Sequence, residues 1–240
     1  MPWSRPRRGS ASGRTPAGDR APAAGRVWLR WPGSRRRVRA ALREAALTAV
    51  ARGWPVLPGA RPLSGPAGPC SCADPSCPVP GAHPHDPPLA AATTDARMVG
   101  WWWEKRSPDA PVLLATGRSV SAVSVPARAG ARALAWFDLM GLPVGPVLAG
   151  QGRYLLLVAP YSLAELGELL AEQPSVPGVM RYHGPDGYLV LPPSRTGAGP
   201  VRWVRPPVGE RPWLPEVGGL LGALIAASSA DAASTSLGKQ

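Results

Sequence analysis

The sequence predicts an α+β fold with a mostly antiparallel sheet. Two observations carry this: short β-type runs come in adjacent pairs joined by turn signals, and helical periodicities fall between the pairs rather than after every strand. A third limits the helices. The 28 glycines and 32 prolines are a quarter of the 240 residues, so turns are many and long helices few.

Ordered structure is expected from about residue 36. Val38, Ala41, Leu42 and Ala45 fall at i, i+3, i+4 and i+7, one face of a helix, and Gly53 supplies its C-terminal cap. Trp54-Pro55-Val56-Leu57 reads as a strand, and residues 58–92 as a long proline- and glycine-rich insertion. Thr94 or Asp95 caps the next helix, which carries Met98, Trp101 and Trp102 on one face. Val112–Ala115 and Ser121–Val125 are β-type runs flanking a Thr116-Gly117-Arg118 turn. Ala133, Trp136, Phe137 and Met140 return to helical spacing, and Gly141 stops it. Val144–Leu148 and Tyr154–Val158 form the next strand pair across Gly150-Gln151-Gly152, a hairpin signal. Ser162 and Glu165 make a capping box for a helix bearing Leu163, Leu166 and Leu170. Tyr188–Leu191 and Val201–Val204 complete the sheet, and Pro192-Pro193 ends the first of them. Val217–Ala227 reads as a short terminal helix and residues 228–240 as a disordered tail.

Charge divides the chain. Residues 1–39 hold eleven arginines against one acid, Asp19, whereas residues 40–240 hold 16 basic and 14 acidic residues. Residues 1–35 are therefore read as a disordered basic arm, too poor in apolar groups to offset its ordering entropy. Such an arm holds polyanions by releasing counterions, without sequence preference. Residues 36–215 form the folded domain and residues 216–240 the terminal helix and tail. No apolar run approaches the ~20 residues that cross a bilayer, which excludes a membrane span. Arg7-Arg8 lacks the apolar stretch of an export signal, so a cytoplasmic location is expected.

The insertion carries its own chemistry between about residues 68 and 88. Cys70, Cys72 and Cys77 are followed by His83 and His85. Three thiols and an imidazole are the soft-to-borderline donor set that tetrahedral zinc prefers. An odd cysteine count argues against disulfides. The expectation is a structural zinc site of Cys70, Cys72, Cys77 and His83, with His85 in reserve; the alternative is a loop with reduced cysteines. A closed four-ligand site leaves no position for water, so it fastens the loop and catalyses nothing.

Five stretches, in order, resemble the N-terminal domain of bifunctional DNA primase/polymerases, the prim-pol branch of archaeo-eukaryotic-type primases. They are Arg52-Gly-Trp-Pro-Val-Leu-Pro58, the Cys/His insertion, Ala92-Thr-Thr-Asp95 with Trp101-Trp102-Trp103, Val112-Leu-Leu-Ala-Thr-Gly117, and Gly187-Tyr-Leu-Val-Leu-Pro-Pro-Ser194. The resemblance covers about residues 38–207. It implies an RRM-like antiparallel sheet packed against helices, with the active cleft on the sheet.

The resemblance also implies catalytic residues, and here the chain departs. Active members carry an Asp-x-Asp pair just before a proline, where this chain has Val123-Ser124-Val125-Pro126. The family's Gly-x-His histidine, which contacts the incoming nucleotide, corresponds to Tyr154, and its third acid falls at about Arg181. Nucleotidyl transfer needs divalent cations, and hard Mg2+ or Mn2+ needs carboxylate oxygens. At ~4 Å and an effective dielectric of ~20 each lost charge pair forfeits ~4 kcal/mol of attraction. No Mg2+ or Mn2+ is therefore expected in the cleft.

Binding is what remains. Arg118, Arg128, Arg153, Arg181 and Arg195 are expected at strand ends or loops bordering the cleft, where arginine forks match phosphate, with Tyr154 stacking a base. The expected function is a primase/polymerase-like domain without polymerase activity that binds nucleic acid, single-stranded DNA above all, or nucleotide. Two alternatives are an active primase/polymerase with relocated metal ligands and a protein-protein interaction remnant of a replication protein.

Overall fold

The computed structural model describes residues 32–63 and 68–237. Most of the expected basic arm therefore lies outside the described residues. Helix α1, Pro32–Ala51, starts four residues earlier than expected. Proline suits a first helical position, where its fixed φ is already helical and it has no hydrogen bond to lose. Gly53, at φ 75°, ends the descent of α1 into the chain turn, a conformation that favours glycine.

Strands β1 (Val56–Pro58), β2 (Val112–Ala115) and β7 (Tyr188–Leu191) form a three-stranded antiparallel sheet in the order β1-β2-β7. Helix α2, Ala96–Trp101, precedes β2, capped by the Asp95 carboxylate, which accepts from the Arg97 and Met98 backbone N–H groups. A single π turn, Trp102–Arg106, follows it. The wider turn carries Trp102 and Trp103 inward and leaves Met98 and Trp101 outside, so the expected Met98–Trp101–Trp102 face is not the buried one. The Trp103 indole N–H donates to the Ala110 carbonyl at 3.0 Å.

The second sheet holds β3 (Ser121–Pro126), β4 (Val147–Gly150), β5 (Arg153–Val158), β6 (Arg181–His183) and β10 (Arg202–Arg205). Its order is β10-β4-β5-β3-β6, antiparallel throughout. With α3 (Ala127–Leu139) between β3 and β4, and α4 (Leu163–Ala171) between β5 and β6, this is the β-α-β-β-α-β arrangement of RRM-like folds. The α+β antiparallel expectation holds, but β7 and β10 finish different sheets. Gln151 and Gly152, both at positive φ, make the two-residue turn joining β4 to β5. The Ser162–Glu165 capping box is formed as the sequence predicts. A small hairpin, β8 (Arg195–Thr196) with β9 (Gly199–Pro200), completes the strands.

The five-stranded sheet separates two cores. One face packs, through Ala122, Leu148 and Leu157, on a core shared with α1, α2 and the three-stranded sheet. The other face, through Val123, Val125, Leu156 and Val158, packs on α3, α4 and the terminal helix α5, Val217–Leu237. Helix α5 runs ten residues beyond the expected end. Alanine-rich sequence favours helix, and α3 holds the extension: Arg132 donates to the Ala227 carbonyl at 2.9 Å, and Arg128 lies 3.9 Å from Asp231. On α3 the buried residues are Ala129, Ala133, Leu134 and Phe137, whereas Trp136 and Met140 face outward. No helix among the described residues is long and apolar enough to cross a membrane.

Candidate metal centre and nucleic-acid interface

The insertion brings its four predicted ligands together. The donor atoms of Cys70, Cys72, Cys77 and His83 all lie within 4.8 Å of one another. His83 Nε2 stands 3.4 Å from both the Cys70 and the Cys77 Sγ. Tetrahedral zinc, with Zn–S near 2.3 Å and Zn–N near 2.0 Å, spaces sulfur and nitrogen about 3.5 Å apart, so the cluster fits the ion. The second shell fits too. His83 Nδ1 donates to the Pro84 carbonyl at 2.7 Å, which leaves the Nε2 lone pair for a metal. Burial pushes the Cys70 thiol up, but the Cys72 and Gly81 backbone N–H groups and His83 outweigh it and bring it down to about 6. Burial pushes Cys77 up, to about 11, with the thiols Cys72 and Cys70 adding to the rise. His85 is exposed and stands outside the cluster.

The loop is tied to the body at three points. The Ala60 N–H donates to the His83 carbonyl at 3.0 Å, the Gly197 N–H to the Pro80 carbonyl at 2.6 Å, and Arg106 pairs with Asp86 at 2.7 Å. Gly81 is required by both backbone and space. It sits at φ 75°, and a Cβ there would come 2.5 Å from Pro62 Cδ.

A second polar cluster occupies the five-stranded sheet face opposite α3 and α4. Strand alternation puts Ser124 of β3, Arg153 of β5, and Arg181 and His183 of β6 on this one face. Arg153 Nε donates to Ser124 Oγ at 3.1 Å, and its Nη2 to the Ser124 and Val179 carbonyls at 2.8 and 2.7 Å. His183 Nε2 lies 3.2 Å from the same hydroxyl. Burial, then Arg153 and Arg181, push His183 down to about 4, so its ring is neutral above that pH. Arg181 is exposed and makes no hydrogen bond or ion pair among the described residues. The face is electropositive, and no carboxylate pairs with its arginines among the described residues.

The family model for the N-terminal domain of bifunctional DNA primase/polymerases, Prim-Pol, matches residues 46–217. The chain belongs to this family. No curated protein and no solved structure matches it. Residues 32–45 of α1 and nearly all of α5 lie outside the residues matched.

Family membership makes the placement of the expected catalytic positions informative. Val123 and Val125 are fully buried and face α3 and α5, not the side of the sheet that carries Ser124, Arg153, Arg181 and His183. The positions of β3 on the other face are Ala122 and Ser124, also buried, and one residue out of register with the expectation. The pattern Val-Ser-Val-Pro fixes the strand but not its facing, because a one-residue shift exchanges the two sides. Tyr154 also lies on the helix side. A Cβ on Gly130 of α3 would stand 2.6 Å from the Tyr154 Cβ, so the ring packs under α3 and presents no platform on the side that carries Arg153 and Arg181. Of the expected arginines, the sheet unites Arg153 and Arg181. Arg128 is on α3 beside Asp231, on the opposite side. Arg118 and Arg195 are exposed, in the β2–β3 turn and the β8–β9 hairpin, and no hydrogen bond or ion pair among the described residues joins them to the cluster. Ser124 and His183 were missed by motif reading. A three-residue strand such as β6 has too little length to show alternation.

Proposed function

We propose that the chain is a Prim-Pol protein that binds nucleic acid or nucleotide at the β6 edge of the five-stranded sheet, around Arg153 and Arg181, and has no nucleotidyl-transfer chemistry. The observation that carries this is the composition of that edge: Ser124, Arg153, Arg181 and His183, with positive neighbours acting on His183. A polymerase cation needs converging carboxylate oxygens. In either register β3 offers none, since the alternatives are Val123 and Val125 or Ala122 and Ser124. Among the described residues, the Cys/His cluster is the one group of three or more His, Cys, Asp or Glu side chains placed to hold a metal ion. Zinc there has a structural role, fastening the insertion beside the β8–β9 hairpin. Arg153, fixed by three hydrogen bonds, and Arg181 supply forks suited to phosphate oxygens.

Single-stranded oligonucleotide binding followed by fluorescence anisotropy tests the reading. The full chain binds at low salt, binding weakens steeply as salt rises, and Arg181→Glu weakens it at every salt concentration. Binding unaffected by Arg181→Glu would reject the sheet edge as the site.

A further inference from the structure

A second cationic surface lies on α1 and α2, away from the sheet. Arg36, Arg39 and Arg43 recur at i, i+3 and i+7 on α1, with Arg35 beside Arg39 at i+4, so four arginines share one helical face. Two acids answer them. Arg39 binds Asp109 through two hydrogen bonds of 2.8 and 2.7 Å, and Arg43 pairs with Glu104 at 2.5 Å. Arg36 is exposed and pairs with no carboxylate among the described residues, whereas Arg35, also exposed, acts on Asp109 from a distance without forming a close ion pair.

The stripe leans on α2. The Arg43 Nη2 lies 4.0 Å from where a Gly100 Cβ would stand. Arg97, Gly100, Trp101 and Glu104 follow at i, i+3, i+4 and i+7, so Arg97 and Trp101 flank that contact. Arg97 is exposed and pairs with no carboxylate among the described residues. The Trp101 indole is 48% exposed although its two neighbours are buried. An indole held out on an arginine-rich surface is unfavourable for a free helix and suited to one ligand chemistry. Phosphates take the guanidinium forks while unpaired bases stack on the ring. The first turn of α1 points the same way. It contains no acid to complement the helix dipole, which favours an anion beside Arg35 and Arg36.

We propose that the α1–α2 surface, through Arg35, Arg36, Arg97 and Trp101, is a second binding site for single-stranded nucleic acid, distinct from the Arg153–Arg181 edge of the sheet. The proposal rests on the reading of the chain as a nucleic-acid-binding protein and places part of that affinity on residues that no polymerase chemistry requires. Stacking needs unpaired bases, which selects single strands over duplex.

The test uses the full zinc-loaded chain and a labelled oligodeoxythymidine of about 20 nucleotides, titrated between about 50 and 200 mM salt. Trp101→Ala weakens binding about tenfold, and Trp101→Phe, which keeps a stacking ring, stays within about threefold of wild type. Arg36→Glu with Arg97→Glu lowers the slope of log affinity against log salt by at least about 1.4, from ~0.7 per lost phosphate contact. The altered side chains are exposed, and unchanged melting temperatures verify that the variants fold. Wild-type affinity and salt slope in Trp101→Ala and in the double variant would overturn the proposal, even with Arg181→Glu deficient. Loss in these variants but not in Arg181→Glu would support it and remove the sheet-edge site instead. Failure of wild type to bind at the lowest salt, or binding to anionic vesicles alone, would overturn it.

Discussion

Replacing Gly130 with alanine tests the packing that takes Tyr154 off the side that carries Arg153 and Arg181. The new methyl would lie 2.6 Å from Tyr154 Cβ, 2.8 Å from Cγ and 2.9 Å from Cδ2. Turning the ring cannot relieve the shortest contact, because a Cβ moves only with its backbone. The helix must lift off β5, and α3 carries Ala129, Ala133 and Phe137, all buried, into the same core. A gap of half to one ångström already forfeits a quarter to a half of the dispersion across it. Overpacking of this kind costs about 1–3 kcal/mol, from which the helical preference of alanine over glycine returns about 1 kcal/mol. The expected net loss is therefore up to about 2 kcal/mol, or up to a few degrees in Tm for a chain of this size. Gly167 of α4 is the internal control. A Cβ there meets nothing within 4 Å, so Gly167→Ala should stabilise by about 0.5–1 kcal/mol. Urea denaturation of the two variants beside wild type gives both signs. A stabilised Gly130→Ala would refute the close approach of α3 to Tyr154.

Other outcomes follow from the same geometry. Purified protein contains about one zinc per chain. Cys72→Ser abolishes the binding and opens the insertion to proteolysis, read by metal analysis and mass spectrometry of the fragments; stoichiometric zinc in Cys72→Ser would exclude the four-ligand site. His183 makes stability depend on pH. Its folded pKa, about 4, lies below the ordinary 6.5, so between these values the unfolded chain binds the extra proton. The contribution is complete above about pH 6.5 and is lost as pH falls toward 4, amounting to at most about 3 kcal/mol. Denaturant titrations from pH 7 to pH 4, with His183→Gln flattening this part of the profile, check the sign; an unchanged profile in that variant would assign the pH dependence elsewhere.

Most of the fold was legible because its signals are local. The Ser162–Glu165 box, the Asp95 cap, the Gly150–Gly152 turn and the paired β-runs each depend on neighbours in sequence, and all appear. The clustering of Cys70, Cys72, Cys77 and His83 was legible for the same reason, since they lie within fourteen residues. What failed depends on distant partners. Strand β4 starts at Val147 rather than Val144, after Pro146, which has no N–H for a ladder. Helix α5 extends because Arg128 and Arg132 of α3 hold it, an interaction across about a hundred residues. The facing of β3 is set by which side α3 and α5 cover. The sequence places Val123 and Val125 correctly in a strand and cannot say that they point into a core. The cationic cluster was half legible. Arg153 and Arg181 were singled out as isolated arginines, whereas Ser124 and His183 join them only through strand register.

The proposed absence of polymerase chemistry is tested most directly by nucleotide incorporation. Zinc-loaded protein, purified free of host polymerases, is incubated with a primed or unprimed template, labelled nucleotides and either Mg2+ or Mn2+. The account predicts no incorporation above a protein-free control while the same preparation binds the template. Metal-dependent extension or primer synthesis that copurifies with the protein would contradict it, and would mean that carboxylates from elsewhere in the chain gather a cation at this face.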